Sequence, residues 1–206
     1  MVLVSHIYRF IYIKNKKVAG SSVESFFGKY CTDPKGKYCY SDQIDQSISS
    51  YGIIGRRLGG SGNKWVSHKS AIEIKRDIGS DVFDKYLKFC VVRNPWDKMV
   101  SKYYWSGSKG SFEDFVKNNN ANNWSTHTIN GLPVSDFYIR FESLEEDIKN
   151  LCDKLGITDY DITKLPKHKS QTRKSDKHYR DYYTDETRNI VYQKHKKEIE
   201  FFGYEF

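Results

Sequence analysis

Residues able to bind or move an anion fall in three places along this chain. The first is the stretch Phe89-Cys90-Val91-Val92-Arg93-Asn94-Pro95-Trp96-Asp97-Lys98-Met99-Val100-Ser101. The guanidinium of Arg93 is a planar fork of donors that matches phosphate or sulfate oxygens, and Ser101 adds a hydroxyl about two helical turns later. The second is Lys16-Lys17-Val18-Ala19-Gly20-Ser21-Ser22, a basic loop running into a helix start. Free backbone N–H groups and the helix dipole make such a start a natural anion site. The third is His68, in Trp65-Val66-Ser67-His68-Lys69-Ser70. An imidazole titrates near neutral pH and can take a proton from a hydroxyl. Arg93 by itself is equally compatible with a structural corner in which it pairs with Asp97.

These residues need elements to carry them. Phe89 to Val92 is a short apolar run within an expected strand, Leu87 to Val92, as a buried parallel strand is. Pro95 favours the first turn of a helix and ends the strand, and Trp96 to Tyr104 follows with Met99, Val100 and Tyr103 on an apolar face. Arg9 to Ile13 has strand composition, Lys14 to Gly20 is a basic connection, and a helix is expected from Ser21 to about Tyr30. Ser21 with Glu24 matches a capping box, as does Ser143 with Glu146. Cys31 to Trp65 is rich in Gly, Ser, Asp and Tyr and reads as a long excursion with little regular structure. Helices are expected over Ser70 to Ile78, stopped by Gly79, over a short turn from Asp81 to Tyr86, and around Phe112 to Val116. Asn118 to Asn130 reads as surface. Asp136 to Phe141 reads as a strand, Leu144 to Leu155 as a helix ended by Gly156, and Thr184 to Lys196 as a last helix. Phe201, Phe202, Tyr204 and Phe206 form an aromatic end that should dock. Strands alternating with helices predict one α/β domain over residues 1–206, with a mainly parallel central sheet flanked by helices. In such folds ligands bind at the carboxyl edge of the sheet, which is where Arg93 and Lys17 would meet.

The chain has 206 residues, enough for one domain with a real core. Its net charge of +8 implies an anionic partner such as a nucleotide, a glycan or a nucleic acid. No apolar run approaches bilayer length, and Met1 to Phe10 lacks the pattern of a signal peptide; the expectation is a cytoplasmic protein without a membrane span. Cys31, Cys39, Cys90 and Cys152 show no metal-ligand spacing, so no metal is expected. Cys90 and Cys152 read as core residues, while Cys31 and Cys39 could pair in an oxidising compartment and are expected reduced in the cytosol. No G-x-x-x-x-G-K-[ST] occurs, which disfavours an ordinary nucleoside triphosphatase.

With two phosphate-binding corners in view, the chain resembles the PAPS-dependent sulfotransferases of the Golgi carbohydrate type, the group that includes heparan sulfate 2-O-sulfotransferase. Such enzymes carry a loop of the form P-K-T-[GA]-G-T-S, and here Lys16 to Ser22 stands in its place. They also carry an apolar strand followed by R-N-P-[WY]-D-R-x-V-S, nearly complete here from Arg93 to Ser101. Arg140-Phe141-Glu142-Ser143-Leu144 and the closing Phe202-Gly203-Tyr204-Glu205-Phe206 also look like this family. Two positions depart from it: Lys16 stands for the usual proline, and Val18 for a common threonine.

The resemblance implies a P-loop-NTPase-like sulfotransferase fold. It also implies transfer of a sulfuryl group from 3′-phosphoadenosine 5′-phosphosulfate (PAPS) to an acceptor hydroxyl, in first place a carbohydrate, with release of adenosine 3′,5′-bisphosphate (PAP). Lys17 would then contact the bridging oxygen of the phosphosulfate. Val18, Ala19, Gly20, Ser21 and Ser22 would line the 5′-phosphate, and Arg93 with Ser101 would hold the 3′-phosphate. A catalytic histidine occupies the stretch corresponding to His68, with His127, His168 and Glu73 as rivals for the base. The basic segment Leu165 to His178 is expected to fold over the donor through Ser170, Arg173 and Lys174, although a charge run is also compatible with a solvated loop. Two other readings remain: a nucleotide-kinase-like phosphotransferase, weakened by the missing phosphate-loop motif, and a non-enzymatic nucleic-acid-binding protein, for which no recognised motif speaks.

Overall fold

A computed structural model of the chain describes residues 2–40, 45–56, 64–107, 110–166, 168, 173 and 175–206. Ser170 and Lys174 lie outside the described residues. The chain opens with β1 (Leu3–Ser5) and β2 (Phe10–Ile13), then α1 (Gly20–Phe27), β3 (Ser47–Ile48) and β4 (Gly52–Ile54). Helices α2 (Ala71–Ile78) and α3 (Ser80–Lys85) lead to β5 (Leu87–Val92) and α4 (Pro95–Trp105). There follow α5 (Phe112–Asn118), the hairpin of β6 (Thr128–Ile129) and β7 (Leu132–Pro133), β8 (Phe137–Arg140), α6 (Leu144–Leu155) and α7 (Asp185–Phe202).

The main sheet has the order β3-β4-β1-β2-β5-β8. Only β2, β5 and β8 run parallel; β1 pairs antiparallel with both β2 and β4, and β3 with β4. The sheet is therefore mixed, and the expectation of a mainly parallel sheet is corrected outside the half that carries the site. Two strands come from the Cys31 to Trp65 segment that was expected to be irregular, and another from Leu3–Ser5. They are two or three residues long, too short for a period-of-two pattern to stand out.

Both faces of the sheet are covered, which is why β2 and Phe89 to Val92 of β5 are apolar throughout. Phe10, Tyr12, Phe89 and Val91 pack on one side with Val23, Phe27, Ile148 and Leu151 of α1 and α6. The alternate residues Ile11, Ile13, Cys90 and Val92 pack on the other with Ala71, Ile74, Phe83 and Phe202. A third cluster joins Trp96 and Met99 of α4 to Phe115, Val116, Val191 and Ile199 of α5 and α7. Phe206 does dock, against Trp96, Tyr179 and Tyr183.

The caps differ from expectation. Neither Ser21 with Glu24 nor Ser143 with Glu146 forms a capping box. Glu24 instead makes a buried ion pair with Lys14 at 2.6 Å, and Ser143 Oγ donates to Asp147 at 2.9 Å. Boxes form at Ser70 with Glu73 and at Thr184 with Thr187. Helix α7 continues past Lys196 to Phe202. Asn118 to Asn130 is not all surface: Asn123 and His127 are buried. The four cysteines are free thiols, with Cys39 alone exposed.

Candidate active site

The parallel register decides where the chemistry sits. Ile13 at the end of β2 lies beside Cys90 of β5, so the loop after Ile13 and the corner after Val92 leave the same carboxyl edge. They touch there: Arg93 Nη1 lies 3.4 Å from the carbonyl oxygen of Lys17. Open α/β sheets bind ligands at this edge.

The Lys14–Ala19 loop is bent by two non-glycine residues in the left-handed region, Lys17 at φ 63° and Ala19 at φ 61°. Such conformations disfavour L residues by ~1–2 kcal/mol each and tend to cluster at functional sites. Helix α1 begins at Gly20 with no side-chain cap. Gly20 is needed for space: a β-carbon there would stand 3.0 Å from Lys14 Cε and 3.1 Å from the Tyr12 hydroxyl. Lys14 cannot easily yield, because the Glu24 ion pair pins it beneath the helix. Val18 turns its side chain into the core, so only its backbone can reach a ligand. Ser22 is buried, and its hydroxyl accepts from the His168 N–H at 3.2 Å. The Lys17 ammonium lies 5.1 Å from the ring centre of Trp105, an exposed residue at the end of α4.

Arg93 follows β5 directly, and α4 starts two residues later with Asn94 capping it by accepting from Trp96 N–H at 3.0 Å. The structural corner foreseen for Arg93 is present. Its Nη2 pairs with Asp97 at 2.7 Å and its Nε donates to the same oxygen at 2.8 Å. The ring of Phe141 lies 3.9 Å from the guanidinium carbon and fixes its plane. Arg173 reaches the other oxygen of Asp97 at 3.2 Å. Arg173 of the basic segment thus reaches the Arg93 corner, and two guanidinium groups converge on one carboxylate. Ser101 lies one turn beyond Asp97 on α4 and is half-buried.

His68 is at φ 61°, and its Nδ1 lies 3.2 Å from the carbonyl oxygen of Lys14. A carbonyl only accepts, so Nδ1 carries the proton and Nε2 is left with its lone pair. Burial, with Lys14 and Lys16 nearby, pushes the His68 pKa down to about 4. The ring is thus neutral at neutral pH and sits at the mouth of the Lys17 loop. The rivals have other partners. Glu73 accepts from the Ser70 hydroxyl and N–H at 2.5 and 2.8 Å. His127 is fully buried beside Asn15. His168 stacks on Tyr40 with ring centres 4.7 Å apart.

Sequence reasoning missed three supporting groups. Glu142 accepts from the Asn94 N–H at 2.6 Å. Asn123 grips Lys16 by both its N–H and its carbonyl, and Glu198 grips Asn123. Their sequence separations of 48, 107 and 75 leave no local signal.

The chain matches the model of the sulfotransferase family over residues 1–205, and it belongs to that family. Sulfuryl transfer is the activity that this membership supports. The chain is also similar to an uncharacterised protein of Archaeoglobus fulgidus, 38% identical over 95 residues that cover 41% of this chain and 79% of the relative. No solved structure matches it. No helix among the described residues is long and apolar enough to cross a membrane, and no cluster of His, Cys, Asp or Glu among them could hold a metal ion.

Proposed function

We propose that this protein transfers a sulfuryl group from PAPS to an acceptor hydroxyl, with a carbohydrate as the acceptor class. One observation carries the reading: the lysine loop and the arginine corner share one sheet edge and meet at Lys17 O and Arg93 Nη1. The donor set suits PAPS. An uncapped helix start and a glycine that admits the loop's close approach favour a phosphate at one end. Arg93, Arg173 and Ser101 offer guanidinium and hydroxyl donors at the other.

PAPS supplies an activated sulfuryl group and a phosphate leaving group. Lys17 is the positive charge that offsets negative charge on that leaving group. Val18, Ala19, Gly20, Ser21 and Ser22 offer backbone and hydroxyl donors to the 5′-phosphate. Arg93 and Ser101 recognise the 3′-phosphate, and Arg173 closes on it from the basic segment. Binding energy gathered at that remote end serves the reacting end. His68 Nε2 takes the proton of the acceptor hydroxyl, with Nδ1 anchored on Lys14 O.

Thermal shift and transfer from labelled PAPS test this. PAP raises the melting temperature and AMP raises it far less, without magnesium; Lys17→Ala removes transfer. Stronger stabilisation by ATP with magnesium than by PAP would refute the proposal in favour of a phosphotransferase.

A further inference from the structure

The peptide groups of Lys16, next to Lys17, are held by one side chain. Asn123 Oδ1 accepts from the Lys16 N–H at 3.0 Å, and Asn123 Nδ2 donates to the Lys16 carbonyl at 2.9 Å. The second bond holds the peptide that leads directly into Lys17. Asn123 is only 2% exposed.

Asn123 is itself held from below. Its backbone N–H donates to Glu198 Oε1 at 2.9 Å. The other oxygen of Glu198 receives Lys98 Nζ and His195 Nδ1, each at 2.8 Å. Lys98, His195 and Glu198 are all buried. Apolar residues of similar volume would commonly support such a core as well as a buried ion pair does, so stability alone does not explain this one. The charged group stands directly beneath Asn123, and no residue of it belongs to the lysine loop.

We propose that Asn123 is a positioning residue for Lys17, and that the Glu198, Lys98 and His195 group of α7 and α4 holds Asn123 in place. The proposal rests on the reading that the Lys17 loop receives the 5′ end of the donor. It predicts that losing Asn123 harms recognition at that end and spares the Arg93 corner.

Calorimetric titration with two probes, PAP and 3′-AMP, tests this. The two differ only in the 5′-phosphate. The wild type prefers PAP. In Asn123→Ala that preference falls by about 10-fold or more, since small misplacements of binding groups have effects of that order. The affinity for 3′-AMP falls by less than that, because Asn123 holds Lys16 and not the Arg93 corner. Asn123→Asp keeps the volume and the acceptor for Lys16 N–H but loses the donor, so its preference falls to an intermediate value. This variant also serves if Asn123→Ala does not fold. An unchanged ratio of PAP to 3′-AMP affinity in either folded variant overturns the proposal. So does an equal loss for both nucleotides, which marks a purely structural residue. A wild type that binds neither probe overturns the donor reading itself, and it shows this before any variant is made.

Discussion

His68 carries its proton on Nδ1 because Lys14 O can only accept, and this leaves Nε2 ready to receive one. Burial keeps the ring neutral down to about pH 4. If Nε2 is the base, the acid limb of kcat/KM lies well below the ordinary histidine value of 6.5. His68→Gln lowers kcat by about 10²–10⁴-fold while PAP affinity stays within about 2-fold. Pre-steady-state turnover with labelled PAPS reads this, and retained turnover assigns the base elsewhere. Arg93 illustrates a different point at this scale. Its pairing with Asp97 and its place at the anion corner are compatible, because a guanidinium offers five donors. Asp97 and Phe141 hold the fork in one plane, and Arg173 meets Asp97 from the opposite segment.

Among the elements, the β2–loop–α1 unit is shaped by what lies beneath it. The buried Lys14 to Glu24 ion pair and the Tyr12 hydroxyl form a floor under Gly20. Gly20→Val places new atoms inside that floor. Overpacking of this kind typically destabilises by ~1–3 kcal/mol, a drop of roughly 2–10 °C in melting temperature for a chain of this size. It also lifts the loop, so PAP binding weakens further than the stability loss explains. Differential scanning fluorimetry with and without PAP separates the two effects, and a wild-type PAP shift in Gly20→Val excludes the close approach as functional. Helix α7 is the second governing element. It supports the lysine loop through Glu198, and the segment after it supports the arginine corner through the Glu205 carbonyl, which accepts from Asn94 Nδ2 at 2.8 Å. Removing one partner of a buried pair such as Lys98 and Glu198 destabilises by ~3–5 kcal/mol.

At the scale of the whole molecule, buried neutral histidines set the response to acid. Burial lowers the pKa of His68 and His127 to about 4 and also lowers that of His195. The unfolded chain then binds more protons than the native one between pH 6.5 and about 4, so stability rises with pH across that window and falls as pH drops through it. His127, fully buried, accounts for on the order of 3 kcal/mol by itself. Glu198 adds to the loss below pH 4.5, because Lys98 and His195 overcome its desolvation and hold its pKa at about 2. Urea midpoints at pH 7.5, 5.5 and 4.5 check this. A steady fall is expected, shallower in His127→Gln, and a flat profile contradicts it.

The local sequence determined much of the site. The apolar run Phe89 to Val92, the proline that ends it and the arginine between them point to a strand and a corner, and both are present. The basic loop before Gly20 and that corner together carried the resemblance that the family match upholds at its coarser level. Short antiparallel strands were not legible, since two or three residues hold no periodic signal. The two rejected capping boxes failed because another partner claimed the side chain: Lys14 took Glu24, and Asp147, one turn on, took Ser143. Asn123, Glu198 and the role of Glu142 were not legible either. Their partners lie tens of residues away, and only the folded chain brings a buried donor and acceptor together where water cannot compete. Sequence by itself determined which groups could bind an anion. Tertiary structure alone decided which side chains hold them at the edge they were expected to share.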